Sequence, residues 1–292
     1  MNQPASLRAR AEKQASPLPP LLARAEHLAG TVLLGEHGRR RPGLGDDFWQ
    51  YRPVQPGDER RFIDWRRSAR SDMEFVRQRE WQIAQSVAIW VDNAASMRFA
   101  SSEELPEKSN RARLLSLAVA ILLNRAGERV GLAGTDLPPK RGEGQLMRLA
   151  EALSEDGESD FGQPETSGMM AHGRALFVSD FMGNIEAAKM AVTEATDRGI
   201  QGVLLHLLDP AEEAFPYRGR TIFESVGGTL AHETLKASDL KDRYLERLAA
   251  RKDELRSLCA ATGWQYGLSH TNDSAQATLL WLYRAFEGGP SA

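Results

Sequence analysis

Short apolar runs alternating with helix-length periodic stretches predict an α/β fold, a doubly wound and mostly parallel sheet that follows a small β-rich N-terminal subdomain. Three observations carry this. Residues 87–91 (Val-Ala-Ile-Trp-Val) are apolar without interruption, as expected of a strand covered on both faces. Leu114, Leu117, Ala118, Ile121 and Leu122 then recur at helical spacing. The same alternation continues toward the C-terminus, whereas residues 46–79 contain no long helical period.

Taken in order, residues 1–20 are polar, with Pro17, Pro19 and Pro20 close together, and read as a tail. Residues 21–29 predict a short helix stopped by Gly30, and residues 35–45 an exposed loop rich in Arg and Gly. β-type pieces at 48–52 and 73–77 flank Pro56-Gly57, which suits the centre of a type II turn. The strand at 87–91 ends in Asp92-Asn93-Ala94-Ala95-Ser96-Met97. The following helix takes Asn110 as its cap and Gly127 as its stop. Further strands are expected at 130–133, 175–178, 203–208 and 264–268. Helices are expected around 146–153 and over 185–196, 238–262 and 275–286. The expected organisation is a tail with a short helix over 1–34, a β-rich subdomain over 35–80 and an α/β domain over 81–288.

The 292-residue chain is 41% hydrophobic and 26% charged, with a net charge of −3, which gives no electrostatic reason to expect nucleic acid or an anionic membrane as partner. Cys259 is the sole cysteine, which excludes an internal disulfide and a cysteine-rich zinc site, and its apolar setting predicts a buried, inert thiol. There is neither an apolar span of membrane length nor a secretory signal pattern, so a cytoplasmic location is expected. No phosphate-binding Gly-x-x-x-x-Gly-Lys-Ser/Thr, Gly-x-Ser-x-Gly elbow or His-x-x-x-His spacing occurs. His206, inside an apolar strand, reads as a hydrogen-bonded core residue.

In open α/β sheets, ligands sit beyond the carboxyl ends of the strands, where Asp92, Asp180 and Asp209 fall. Asp92 and Ser96 on one loop, with Asp180 from another strand, form a candidate oxygen cage for a hard ion such as Mg²⁺. The bland reading is that such aspartates cap the next helix or bind loop amides. A second candidate set, Asp58, Arg61, Asp64 and Arg70, reads as a structural Arg–carboxylate network with Trp65 as its apolar anchor. The run Arg39-Arg40-Arg41 reads as a solvated loop.

Gly35-x-His37-x-Arg39, Tyr51-Arg52-Pro53, Pro56-Gly57-Asp58, Arg61-x-Ile63-Asp64-Trp65, Ala69-Arg70 and the strand ending at Asp92 together resemble the bacterial DUF58 family. Ser179-Asp180-Phe181, Leu208-Asp209-Pro210-Ala211-Glu212-Glu213 and Gly263-Trp264 extend the resemblance over most of the chain after residue 30. It implies a von Willebrand factor A-like domain behind the β-rich region. The metal-ion-dependent adhesion site of such domains reads Asp-x-Ser-x-Ser, with a Thr and an Asp from other loops. Asp92, Ser96 and Asp180 match it, Ala94 replaces the middle Ser, and residues 141–145 supply no Thr. The site is degenerate, and any Mg²⁺ is expected to be weakly held or absent.

The resemblance further implies an adaptor role beside a MoxR-type AAA+ ATPase. The expected function is therefore a non-enzymatic interaction module that engages a protein partner through Asp92, Asn93, Ser96, Met97 and Asp180. A metal-free variant of this reading uses the surface around Ala94 and Met97 for apolar contact. The alternative is a metal-dependent phosphotransferase or hydrolase with Asp92 as nucleophile and Asp180 holding Mg²⁺. That chemistry usually needs a second carboxylate two residues on, where this chain has Ala94.

Overall fold

A computed structural model describes residues 20–36, 48–54, 63–69, 73–79, 84–219, 221–224, 231–234 and 238–287. The chain divides into two compact units, one made of residues 1–36 and 85–292, the other of residues 37–84.

In the smaller unit, β1 (Phe48–Pro53) pairs antiparallel with β2 (Phe75–Arg79). The one-turn helix α2 (Trp65–Ser68) is capped by Asp64, whose carboxylate accepts from the Arg67 amide at 3.0 Å. Ser68 Oγ donates to Asp64 O and accepts from the Phe75 amide, tying this turn to β2. Trp65 is 56% exposed, so it is not the apolar anchor expected; Ile63 is the buried side chain here. Asp58, Arg61, Arg70, the Pro56-Gly57 turn and Arg39-Arg40-Arg41 lie outside the described residues.

The larger unit is built on a six-stranded sheet. Its members are β3 (Ser86–Val91), β4 (Arg129–Leu132), β5 (Leu137–Lys140), β6 (Arg174–Ser179), β7 (Gln201–Leu208) and β10 (Gln265–His270), in the order β10-β7-β6-β3-β4-β5. All neighbours are parallel except β5, which runs antiparallel to β4 at the edge. β5 was not among the expected strands; it carries Pro138 and Pro139, which an edge strand tolerates. Between β7 and β10 a small hairpin, β8 (Thr221–Glu224) with β9 (Ala231–Thr234), was also not anticipated.

Alternation along the strands sends side chains to two cores. Val87, Ile89, Leu176, Val178 and Leu205 meet helices α1 (Pro20–Glu36), α3 (Lys108–Arg125), α4 (Glu143–Ala152) and α8 (Ala275–Glu287). Ala88, Trp90, Phe177 and Leu204 meet α5 (Ile185–Asp197) and α7 (Ser238–Thr262) on the opposite face. Helix α6 (Pro210–Ala214) follows β7 directly.

Helix α1 corrects the expected N-terminal organisation. It runs through Gly30 and buries Leu22, Ala25, Ala29 and Val32 in the first core, so it belongs to the α/β unit and is not part of a detached tail. A mid-helix Gly costs only about 1 kcal/mol, which burial of that apolar stripe outweighs. Helix α3 likewise starts at Lys108, two residues before the expected Asn110 cap. No helix among the described residues is long and apolar enough to cross a membrane.

Candidate functional site

The chain leaves β3 for β4 on one side and later returns to place β6 on the other side of β3. The reversal of strand order thus falls between β3 and β6, the point where sheets of this kind generally form a crevice at the strands' carboxyl ends. Asp92 follows β3 and Asp180 follows β6, and both are brought to this point, 2% and 1% exposed.

Asp92 is held from several sides. Its amide donates to Val178 O at 2.9 Å, one more rung of the parallel ladder. Oδ1 accepts from the Ala94 amide at 2.9 Å and Oδ2 from the Ser179 hydroxyl at 2.6 Å. The Gly162 backbone also bonds this carboxylate, and a Cβ on Gly162 would lie 2.3 Å from Asp92 Cγ. Burial, then the neighbouring Asp180, push the Asp92 carboxyl above its usual range, against these hydrogen bonds.

Asp180 has a different partner. Its Oδ2 is 2.7 Å from the Lys108 ammonium, and its Oδ1 accepts from the Met182 amide at 3.0 Å. Lys108 Nζ also meets Glu212 Oε1 at 2.6 Å. Burial alone would raise Asp180, yet the Lys108 charge and hydrogen bond hold it below the ordinary carboxylate range. Burial likewise opposes the charge on Lys108, but the two carboxylates keep it raised. Lys108, 1% exposed, is the first residue of α3, where a positive charge stands against the helix dipole. That misfit was the signal in the sequence, and it went unread.

Glu212 completes the cluster. Its Oε2 accepts from the Asp209 amide at 2.7 Å in a capping box at the start of α6. Asp209, fully buried, accepts from the Ala211 and Ser101 amides at 2.8 and 3.0 Å. Asp209 is thus a cap, as the bland reading of strand-end aspartates proposed.

Residues 157–162 roof the crevice. Gly157 N donates to Asn93 O, Ala95 N to Ser159 O, and Ser96 N to Asp160 O. Under this roof Ala94 and Met97 are completely buried. Neither offers a surface for apolar contact, and of Asp92, Asn93, Ser96, Met97 and Asp180 only Asn93 is exposed. The Ser96 hydroxyl is buried beside Asp180 and helps to hold its carboxyl low. On the far side, Phe181 adopts a positive φ of 46°, a strained state for a bulky residue, and Arg251 donates to Phe181 O and Gly183 O across that turn.

The donor set does not suit a divalent ion. Ala94 supplies no oxygen, both Asp92 oxygens accept internal hydrogen bonds, and a resident ammonium already touches Asp180 and Glu212.

His206 lies in the second core region behind this site, its Nδ1 2.9 Å from Tyr266 Oη, as a hydrogen-bonded core residue should be. Burial pushes its imidazole down to about 3. An unfolded His gains a proton below about 6.5 while this one does not, so stability falls as pH drops from about 6.5 toward about 3. The expected loss by pH 5 is about 2 kcal/mol, and urea midpoints of wild type and His206→Gln should show the variant lacking that slope. Equal slopes would reject the assignment. Burial pushes the Cys259 thiol up to about 12, and the residue is 1% exposed, an inert core group.

Comparison with known proteins places the chain in context. Uncharacterized proteins of Mycobacterium tuberculosis and Mycobacterium bovis are 24% identical over 243 residues, covering 77% of this chain and 74% of theirs. Among solved structures, the conserved hypothetical protein BatB from Bacteroides thetaiotaomicron is 15% identical, with 69% and 98% coverage and a TM-score of 0.37. An uncharacterized membrane-spanning protein from Vibrio fischeri is 14% identical, with 70% and 98% coverage and a TM-score of 0.21. The family model described as protein of unknown function DUF58 matches residues 50–254, and the chain belongs to that family.

Proposed function

We propose that this chain is a non-enzymatic protein-interaction module, an adaptor whose strand-end rim docks a partner protein, with a MoxR-type AAA+ ATPase as that partner. The sheet order, with one antiparallel edge strand and the order reversing between β3 and β6, supports a von Willebrand factor A-like reading of the larger unit. The observation that carries the functional reading is the internal use of both strand-end carboxylates. Asp92 is bonded to Ser179 and to backbone amides, Asp180 is bonded to Lys108, and residues 157–162 cover the pair. A phosphotransferase or hydrolase would need one of them open to substrate.

The surface left for docking is the outside of the roof and its neighbours, where Asn93, Glu158 and Phe161 are exposed. Phe161 is the apolar member, 37% exposed, and it packs against Gly183 beyond the end of β6. The test is capture of a purified MoxR-type ATPase by the full chain. Phe161→Glu is expected to weaken capture about tenfold or more while leaving the unfolding midpoint unchanged. No capture by wild type, or phosphatase turnover abolished by Asp92→Asn, would overturn the proposal.

A further inference from the structure

The buried lysine at the start of α3 fits neither an adaptor surface nor a solvated helix end. Its ammonium is 2.7 Å from Asp180 Oδ2 and 2.6 Å from Glu212 Oε1, ligand-like contacts in which Lys108 and Asp180 are buried and Glu212 is partly buried. Glu212 reaches it from α6, just after β7, and Asp180 from the loop after β6, so two strand ends converge on one positive charge. The Ser96 hydroxyl lies beside the same Asp180 carboxylate. We infer that Lys108 is the resident cation of this crevice: its ammonium fills the place between Asp180 and Glu212 that a bound metal ion would need, and the site is closed to divalent cations.

A metal ion entering here would have to displace the Lys108 ammonium from both Asp180 and Glu212. The cation is therefore covalently attached and cannot be exchanged, chelated or lost. This builds on the reading of the strand-end rim as a docking site and makes docking there metal-independent. The test needs no partner, so the two proposals can fail separately.

Mn²⁺ binding to the full chain is followed by electron paramagnetic resonance. Wild type is expected to show no saturable uptake up to about 1 mM free Mn²⁺. Lys108→Ala strands Asp180 and Glu212 around an open space, and it is expected to bind Mn²⁺ at least about tenfold more tightly than wild type and to gain thermal stability from it. Lys108→Ser, which opens the same space and keeps both carboxylates, provides the same comparison if the alanine variant does not fold. Saturable wild-type uptake abolished by Asp180→Asn overturns the inference. So does a folded Lys108 variant that binds Mn²⁺ no better than wild type.

Discussion

Lys108→Met is expected to destabilise the α/β unit by about 3–5 kcal/mol, the cost of breaking a buried ion pair by removing one partner. Methionine fills nearly the same space, so the loss is electrostatic: buried Asp180 and partly buried Glu212 remain without their cation. Urea denaturation followed by circular dichroism should show a lower midpoint at unchanged slope. The double variant Lys108→Met/Glu212→Gln should lose clearly less than the sum of the two single changes, because Glu212→Gln removes one of the stranded charges. A midpoint equal to wild type would show that the ammonium contributes nothing to the fold. The sign of the pH dependence follows from the same pair. The lowered Asp180 pKa contributes stability that is present above the unfolded value of 3.8 and lost as pH falls below it. The raised Lys108 pKa contributes stability that is complete below 10.5 and lost at higher pH.

Gly162→Val should cost roughly 3 kcal/mol, at the upper end for overpacking. The added Cβ would fall 2.3 Å from both Cγ and Oδ1 of Asp92, far inside contact distance, and the carboxylate cannot yield because Ser179 and Ala94 hold it. The decisive measurement is a double-mutant cycle with Asp92→Ala. Removing the carboxylate empties the space that the valine needs, so the penalty of Gly162→Val should shrink by about 1–2 kcal/mol in that background. Additive penalties would mean that the roof does not rest on Asp92.

Both experiments probe features with very different visibility in the chain. The strands at 87–91, 175–178 and 203–208 were readable because burial on both faces demands apolar residues almost throughout, with His206 the exception, a strictly local signature. The placement of Asp92 and Asp180 at neighbouring strand ends followed from the alternation of strands and helices, and the ladder between β3 and β6 brings them together. Where local signals misled, a distant contact had overruled them. Gly30 did not stop α1, because the stripe from Leu22 to Val32 packs into the first core. Asn110 did not cap α3, which starts two residues earlier at Lys108, a residue paired with the distant Asp180.

From the residues alone came the fold class and the placement of Asp92 and Asp180 at the carboxyl ends of strands, both of which depend on patterns within about twenty neighbouring positions. The environment of those carboxylates did not. Lys108 is 72 residues from Asp180 and 104 from Glu212, and the roof at 157–162 lies more than sixty residues after Asp92. No periodicity links such positions. Whether a strand-end aspartate faces solvent, a metal ion or an internal ammonium is settled only when the chain has folded back on itself and excluded water from between them.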